Sequence, residues 1–183
     1  MLKIGLLGPN YLLKRNEEIL QQQQSKAVPI RNGQQLAQMD GLLITGWKPT
    51  DYLWQLQRLG PALQQALPRL SVLGIAAGAV CLSRQNYCAV MDCDITLHAS
   101  HPLTTATLEM PAITDYRFTA CFLPELRFTN LAPNLGVLCQ EQKRGPVVVR
   151  QGNYLACSYV AELTPQPYVY RYWLEMVAAL KNS

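Results

Sequence analysis

The chain carries little charge: aspartate, glutamate, lysine and arginine make up 15% of 183 residues, and histidine occurs only twice. With hydrophobic residues at 49%, that composition excludes an extended disordered chain, which would be poor in apolar residues. The formal charge of +4 is scattered, without a basic run or interleaved aromatics, so no nucleic-acid groove is expected. No apolar stretch approaches the roughly 20 residues that span a bilayer, and no membrane association is expected. The N-terminal MLKIGLLGPNYLLKR lacks a small-residue cleavage site, which points to a cytoplasmic protein. Six cysteines, mostly inside apolar runs, read as free buried thiols and not as a disulfide framework.

What is present is a regular alternation. LKIGLL (2–7), AVPI (27–30), GLLITG (41–46) and LSVLGIA (70–76) are short apolar runs, the first, third and fourth punctuated by glycine. Between them, residues 11–24, 34–38 and 51–67 show helical spacing, the last broken at Gly60 and Pro61, and 77–82 continues as a helix. Continuous apolar strands alternating with amphipathic helices predict a parallel sheet covered on both faces, a three-layer α/β/α architecture. Beyond residue 90 the pattern changes to strands over 93–97, 104–108, 116–123, 136–140, 147–150 and 154–158, with one final helix over 167–180. These predict antiparallel additions beside the parallel core. No linker divides the chain, so 1–183 is expected to be one domain.

Two short motifs carry the functional argument. GIAAG (74–78) has the form Gly-x-X-x-Gly between an apolar strand and a helix, the frame of a nucleophile elbow, with Ala76 at its centre. CSYVAELT (157–164) lies near the C-terminus. Together with LKIGLLG, MDGLLITG, VMDCDIT, RQGNYLACSYVAELT and YRYWLEMV, they make the chain resemble the glutaminase subunit of pyridoxal 5′-phosphate synthase, a class I glutamine amidotransferase. The resemblance implies the flavodoxin-like fold of that family. Members typically show Gly-Thr-Cys-Ala-Gly at the elbow and Cys-Ser-Phe-His-Pro-Glu-Leu-Thr near the end.

Carried over by position, the family's cysteine falls on Ala76, its histidine on Val160 and its glutamate on Glu162. A methyl group cannot form a thioester and valine cannot move a proton, so glutaminase chemistry is expected to be lost. Where members have Gly-Gly-Glu-Ser, with amides contributing to the oxyanion hole, this chain has Gly46, Trp47, Lys48 and Pro49. Trp47 adds bulk and Pro49 removes a donor. The family's substrate-binding arginine aligns with Pro124. Any ligand using the former cleft is expected to meet Gly46, Trp47, Lys48, Ala77 and Glu162, with Arg127 as a further lining residue.

Replacement catalysts are scarce. Cys81 lies inside the helix after the elbow and is expected to point away from Ala76, and Cys157 reads as a packed strand residue. Cys88, Cys93, His98 and His101 offer four zinc-type ligands, but the histidine gap is short and a strand would send alternate side chains to opposite faces. No metal and no cofactor is expected. With no imidazole at 160 to orient, Glu162 is expected to pair locally near Thr164. The Trp54, Leu56 and Leu63 stripe reads as core, and Arg150 with Gln151 as a solvent-facing turn.

Three functional classes remain open from sequence. The first is an inactive glutaminase-like protein that binds a synthase-like partner, another copy of itself or a small ligand. The second is an enzyme of altered chemistry in the same cleft. The third is a sensor that binds a small molecule without turning it over.

Overall fold

The structure is a computed structural model that describes residues 1–97, 102–123 and 126–182. In chain order its elements are β1 (Lys3–Leu7), α1 (Asn10–Gln22), β2 (Lys26–Pro29), α2 (Gly33–Ala37), β3 (Gly41–Gly46), α3 (Leu53–Ala66), β4 (Ser71–Ala76) and α4 (Ala77–Val80). Then come β5 (Asp94–Leu97), β6 (Thr104–Met110), β7 (Thr114–Phe122), β8 (Leu126–Thr129), β9 (Gly136–Glu141), β10 (Gly145–Gln151), β11 (Tyr154–Cys157) and α5 (Tyr168–Lys181).

Seven strands form one sheet in the order β2-β1-β3-β4-β11-β10-β9. The first five are parallel, and β10 and β9 add antiparallel at one side. Side chains alternate across a strand, and here both faces are buried. Ile4, Leu6, Leu43, Leu73 and Ile75 join α1 and α5 in one cluster, where Trp173 and Tyr170 are fully buried. Leu7, Leu42, Ile44 and Val72 join α2, α3 and α4 in the other. That two-sided burial is why the strands read as unbroken apolar runs, and it produces the expected three layers. The β6–β7 ribbon adds Leu108, Phe118 and Phe122 to the first cluster, and the β5–β8 pair adds Ile95, Leu126 and Phe128 to the second.

Four details depart from the sequence reading. The helix after the elbow stops at Val80, short of Leu82, because the Ser83 hydroxyl bonds the Val80 carbonyl at 3.0 Å while the Leu82 carbonyl accepts amides from Val90 and Met91. Strand β8 was not expected, although Leu126 and Phe128 alternate with exposed Arg127 and Thr129. Trp54, expected in the core, is 54% exposed, whereas Leu56 and Leu63 of the same helix are fully buried. The break in α3 is present: Gly60 takes φ 43° and ψ −121° ahead of Pro61. Arg150 and Gln151, expected in a solvent-facing turn, are instead half-buried at the end of β10, where Arg150 bonds the Tyr172 hydroxyl at 2.7 Å and Gln151 accepts the Asp92 amide at 2.6 Å. No described helix is long and apolar enough to cross a membrane.

Candidate functional site: a filled nucleophile elbow

The parallel register sets Gly46 at the end of β3 beside Ala76 at the end of β4, and Ile75 beside Cys157 at the end of β11. Three strand ends therefore bring the loop after residue 46, the elbow and the segment 158–162 together, at the edge where open α/β sheets usually hold ligands.

The elbow keeps its geometry without a reactive atom. Ala76 has φ 50° and ψ −125°, a conformation that costs a residue with a Cβ on the order of 1–3 kcal/mol and persists only where the surroundings enforce it. Gly78 permits this turn: a Cβ there would lie 2.1 Å from the Ile44 carbonyl oxygen. One at Gly74 would lie 2.7 Å from the Ala79 Cα. The Tyr52 hydroxyl donates to the Ala77 carbonyl at 2.6 Å and fixes the far side. Ala76 is 1% exposed and packs in the same cluster as Tyr159, Val160 and Ala161. Val160 is fully buried, and its amide donates to the Cys121 carbonyl at 2.7 Å.

The loop after β3 has turned its amides inward. The backbone N–H groups of Trp47 and Lys48 donate to one oxygen of Asp51, at 2.8 and 3.1 Å, and the Tyr11 hydroxyl approaches the same oxygen at 3.4 Å. Asp51 thus supplies from within the chain the negative charge that such amides would otherwise receive from a ligand. Trp47 does not enter the site. It is 38% exposed and meets the Tyr11 ring edge-on, with centroids 5.3 Å apart.

Glu162 corrects the expectation of a local role near Thr164. Its carboxylate is 1% exposed, and one oxygen, Oε1, accepts from Asn16 Nδ2 at 3.0 Å and from the Thr45 hydroxyl. The Tyr170 hydroxyl donates to Asn16 Oδ1 at 2.6 Å and extends the chain of bonds. The second oxygen, Oε2, is buried and has no partner. Burial raises this carboxyl above its ordinary range, and the bonds from Thr45 and Asn16 offset part of the rise. Thr164 instead bonds the Val160 carbonyl at 3.4 Å.

The residues expected to meet a ligand are divided. Gly46, Ala77 and Glu162 are buried, Trp47 and Lys48 are exposed at the rim, and Arg127 is exposed on β8. Cys81 is buried five positions past the elbow centre, with its sulfur 3.1 Å from the Gly78 carbonyl and 3.9 Å from Cys88 Sγ. Burial pushes the Cys81 thiol well up, as it does Cys157, which contacts the Tyr159 carbonyl at 3.4 Å. Cys88 and Cys93 are both buried, and His98, His101 and Pro124 lie outside the described residues. Sequence reasoning missed Asp51, Thr45 and Asn16. The last two were signalled as polar residues on otherwise apolar faces, Thr45 in GLLITG and Asn16 among Leu12, Leu13, Ile19 and Leu20 of α1.

Comparison with known proteins agrees with this architecture. A pyridoxal 5′-phosphate synthase subunit PdxT from Thermotoga sp. (strain RQ2) is 28% identical over 191 aligned positions, covering 96% of this chain and all of the relative. The chain is similar, end to end, to PdxT. The PdxT of Anoxybacillus flavithermus aligns over the full length of both chains at 26% identity. A crystal structure of glutamine amidotransferase superposes with a TM-score of 0.84 at 23% identity, covering 96% of this chain and 98% of the other, which gives the glutamine amidotransferase fold. No family model matches the chain.

Proposed function

We propose that this protein is a PdxT-like subunit, built as one domain over residues 1–183, in which amide hydrolysis is lost and binding is retained. The observation that carries the reading is Ala76: the elbow holds its strained turn around a buried methyl group. A thioester needs a sulfur at that point, and the nearest sulfur along the chain, Cys81, is buried and spent on Gly78 and Cys88. The occupied amides of Trp47 and Lys48 and the buried Val160 side chain support the same conclusion. The names of the relatives indicate what is bound: PdxT is a subunit of pyridoxal 5′-phosphate synthase, so a synthase-like protein is the partner proposed here. Trp47, Lys48 and Tyr11, exposed beside the filled elbow, are the residues proposed to meet it.

Ammonia release from glutamine is the test, with the purified protein alone and mixed with a synthase subunit. No release is expected in either case. Release that a single substitution abolishes would overturn the proposal. The Ala76→Cys/Val160→His variant then locates the block. Recovered turnover would show that only the reacting groups are missing, whereas silence would assign the remainder to the loop held by Asp51.

A further inference from the structure

A second concave site, made from other residues, lies between α1, α3 and the carboxyl ends of β1 and β2. It measures about 580 Å³ and is lined by Lys14 and Glu17 of α1, by Arg31 beyond β2, and by Trp54, Gln55 and Arg58 of α3. We propose that this cleft binds a small ligand made of a flat ring joined to a phosphomonoester.

The helices present one face each. Positions 10, 13, 14 and 17 follow the i, i+3, i+4, i+7 spacing that places side chains along one stripe, while Asn16 on α1 reaches Glu162 instead. Positions 54, 55 and 58 do the same for α3. With Arg31 beyond β2, three cationic residues and one acidic residue, Glu17, line the same cleft. Lys14, Arg31 and Arg58 form no ion pair with any described residue, and Glu17 forms none with Lys14. An excess of unpaired cations in a concavity attracts an anion, and guanidinium groups match phosphate oxygens in two-point contacts.

The remaining lining selects the rest of the ligand. Leu6, Leu13 and Ile30 give an apolar floor, and Leu6 and Ile30 are nearly inaccessible. The Gln55 side chain is not available to a ligand. Its oxygen accepts the Gly8 amide at 2.8 Å and its nitrogen donates to the Gly8 carbonyl at 2.9 Å, so it fixes the base of the cleft to the turn after β1. Trp54 is 54% exposed at the rim, with the Arg58 guanidinium 5.0 Å from its ring centroid. An exposed indole with a guanidinium over one face leaves its other face for a planar ligand ring, whose anionic group meets the cations of the cleft. The volume falls within the ~300–1,000 Å³ usual for small-molecule sites, and the position at parallel-strand carboxyl ends is a customary one.

Calorimetric titration of the full chain tests this with four probes: adenosine 5′-monophosphate, pyridoxamine 5′-phosphate, adenosine and inorganic phosphate. Pyridoxamine phosphate is chosen because it has no aldehyde to condense with Lys14. At least one of the two ring phosphates is expected to bind more than tenfold more tightly than adenosine or phosphate alone. The variants Lys14→Ala/Arg31→Ala and Trp54→Ala should each weaken that binding at least tenfold, with thermal unfolding unchanged since these three side chains are exposed. If neither ring phosphate binds up to millimolar concentration, or if the variants bind as the parent does, the proposal fails. Which of the two probes binds more tightly separates a nucleotide from a pyridine phosphate. Glutaminase activity plays no part in this readout, so it stands or falls apart from the reading of the elbow.

Discussion

Glu162 is held in an apolar interior by donors on one oxygen only, and the energetics of that arrangement depend on pH. A carboxyl raised by burial has a higher proton affinity folded than unfolded, so its contribution to stability is fully present below its ordinary value near 4.5 and is lost as pH rises through the raised folded value. Glu162→Gln keeps an oxygen to accept from Thr45 and Asn16 and removes the charge. This variant should unfold at higher denaturant concentration than the parent at pH 8, by on the order of 1 kcal/mol, with the difference shrinking toward pH 4. Parallel pH profiles for the two proteins would contradict it. The absence of sulfur at 76 and of imidazole at 160 is legible from residue identity alone. The bonding of Glu162 was not, because its partners Asn16 and Thr45 are 146 and 117 residues away in the chain and only the fold brings them in.

At the level of elements, strands and helices of the first half were readable because the apolar runs of β1, β3 and β4 are buried on both faces and the breaks between them have a chemical cause. Gly60–Pro61 shows this, with a left-handed glycine followed by a residue that cannot donate. The end of α4 was only partly readable: the Ser83 hydroxyl that bonds the Val80 carbonyl is local, but the Leu82 carbonyl is taken by the amides of Val90 and Met91, which only the fold brings there. The elbow glycines carry a sharp prediction at this scale. Gly78→Ala would push a methyl group into the backbone of β3 at Ile44 and should cost about 3 kcal/mol or more in urea unfolding. Gly152→Ala, with open space around it and φ 56°, should cost only about 1 kcal/mol of backbone strain. Equal losses would mean that the α4–β3 approach is looser than described.

For the molecule as a whole, the distribution of thiols gives a simple fingerprint of correct folding. Five cysteines are buried and Cys121 alone is partly accessible. Native protein should therefore react quickly with one equivalent of a thiol reagent, and six should react after denaturation. Cys121→Ser should abolish the fast phase. A second rapid thiol in the parent would show that one of the packed clusters opens. The strand composition of the second half could be read from alternation, but its arrangement could not. Nothing local dictates that β11 enters beside β4 while β10 and β9 extend the sheet outward.

That insertion has a temporal corollary. Strand β4 finds its outer neighbour only through contacts such as Ser71 to Asn153, which are 82 residues apart in sequence. A ribosome adding roughly 5–20 residues per second needs about 4 to 16 s to deliver the missing strand. Throughout that interval the nascent chain displays an unpaired apolar ribbon, which makes the middle of translation the stage at which this protein is most exposed to misassociation with its neighbours.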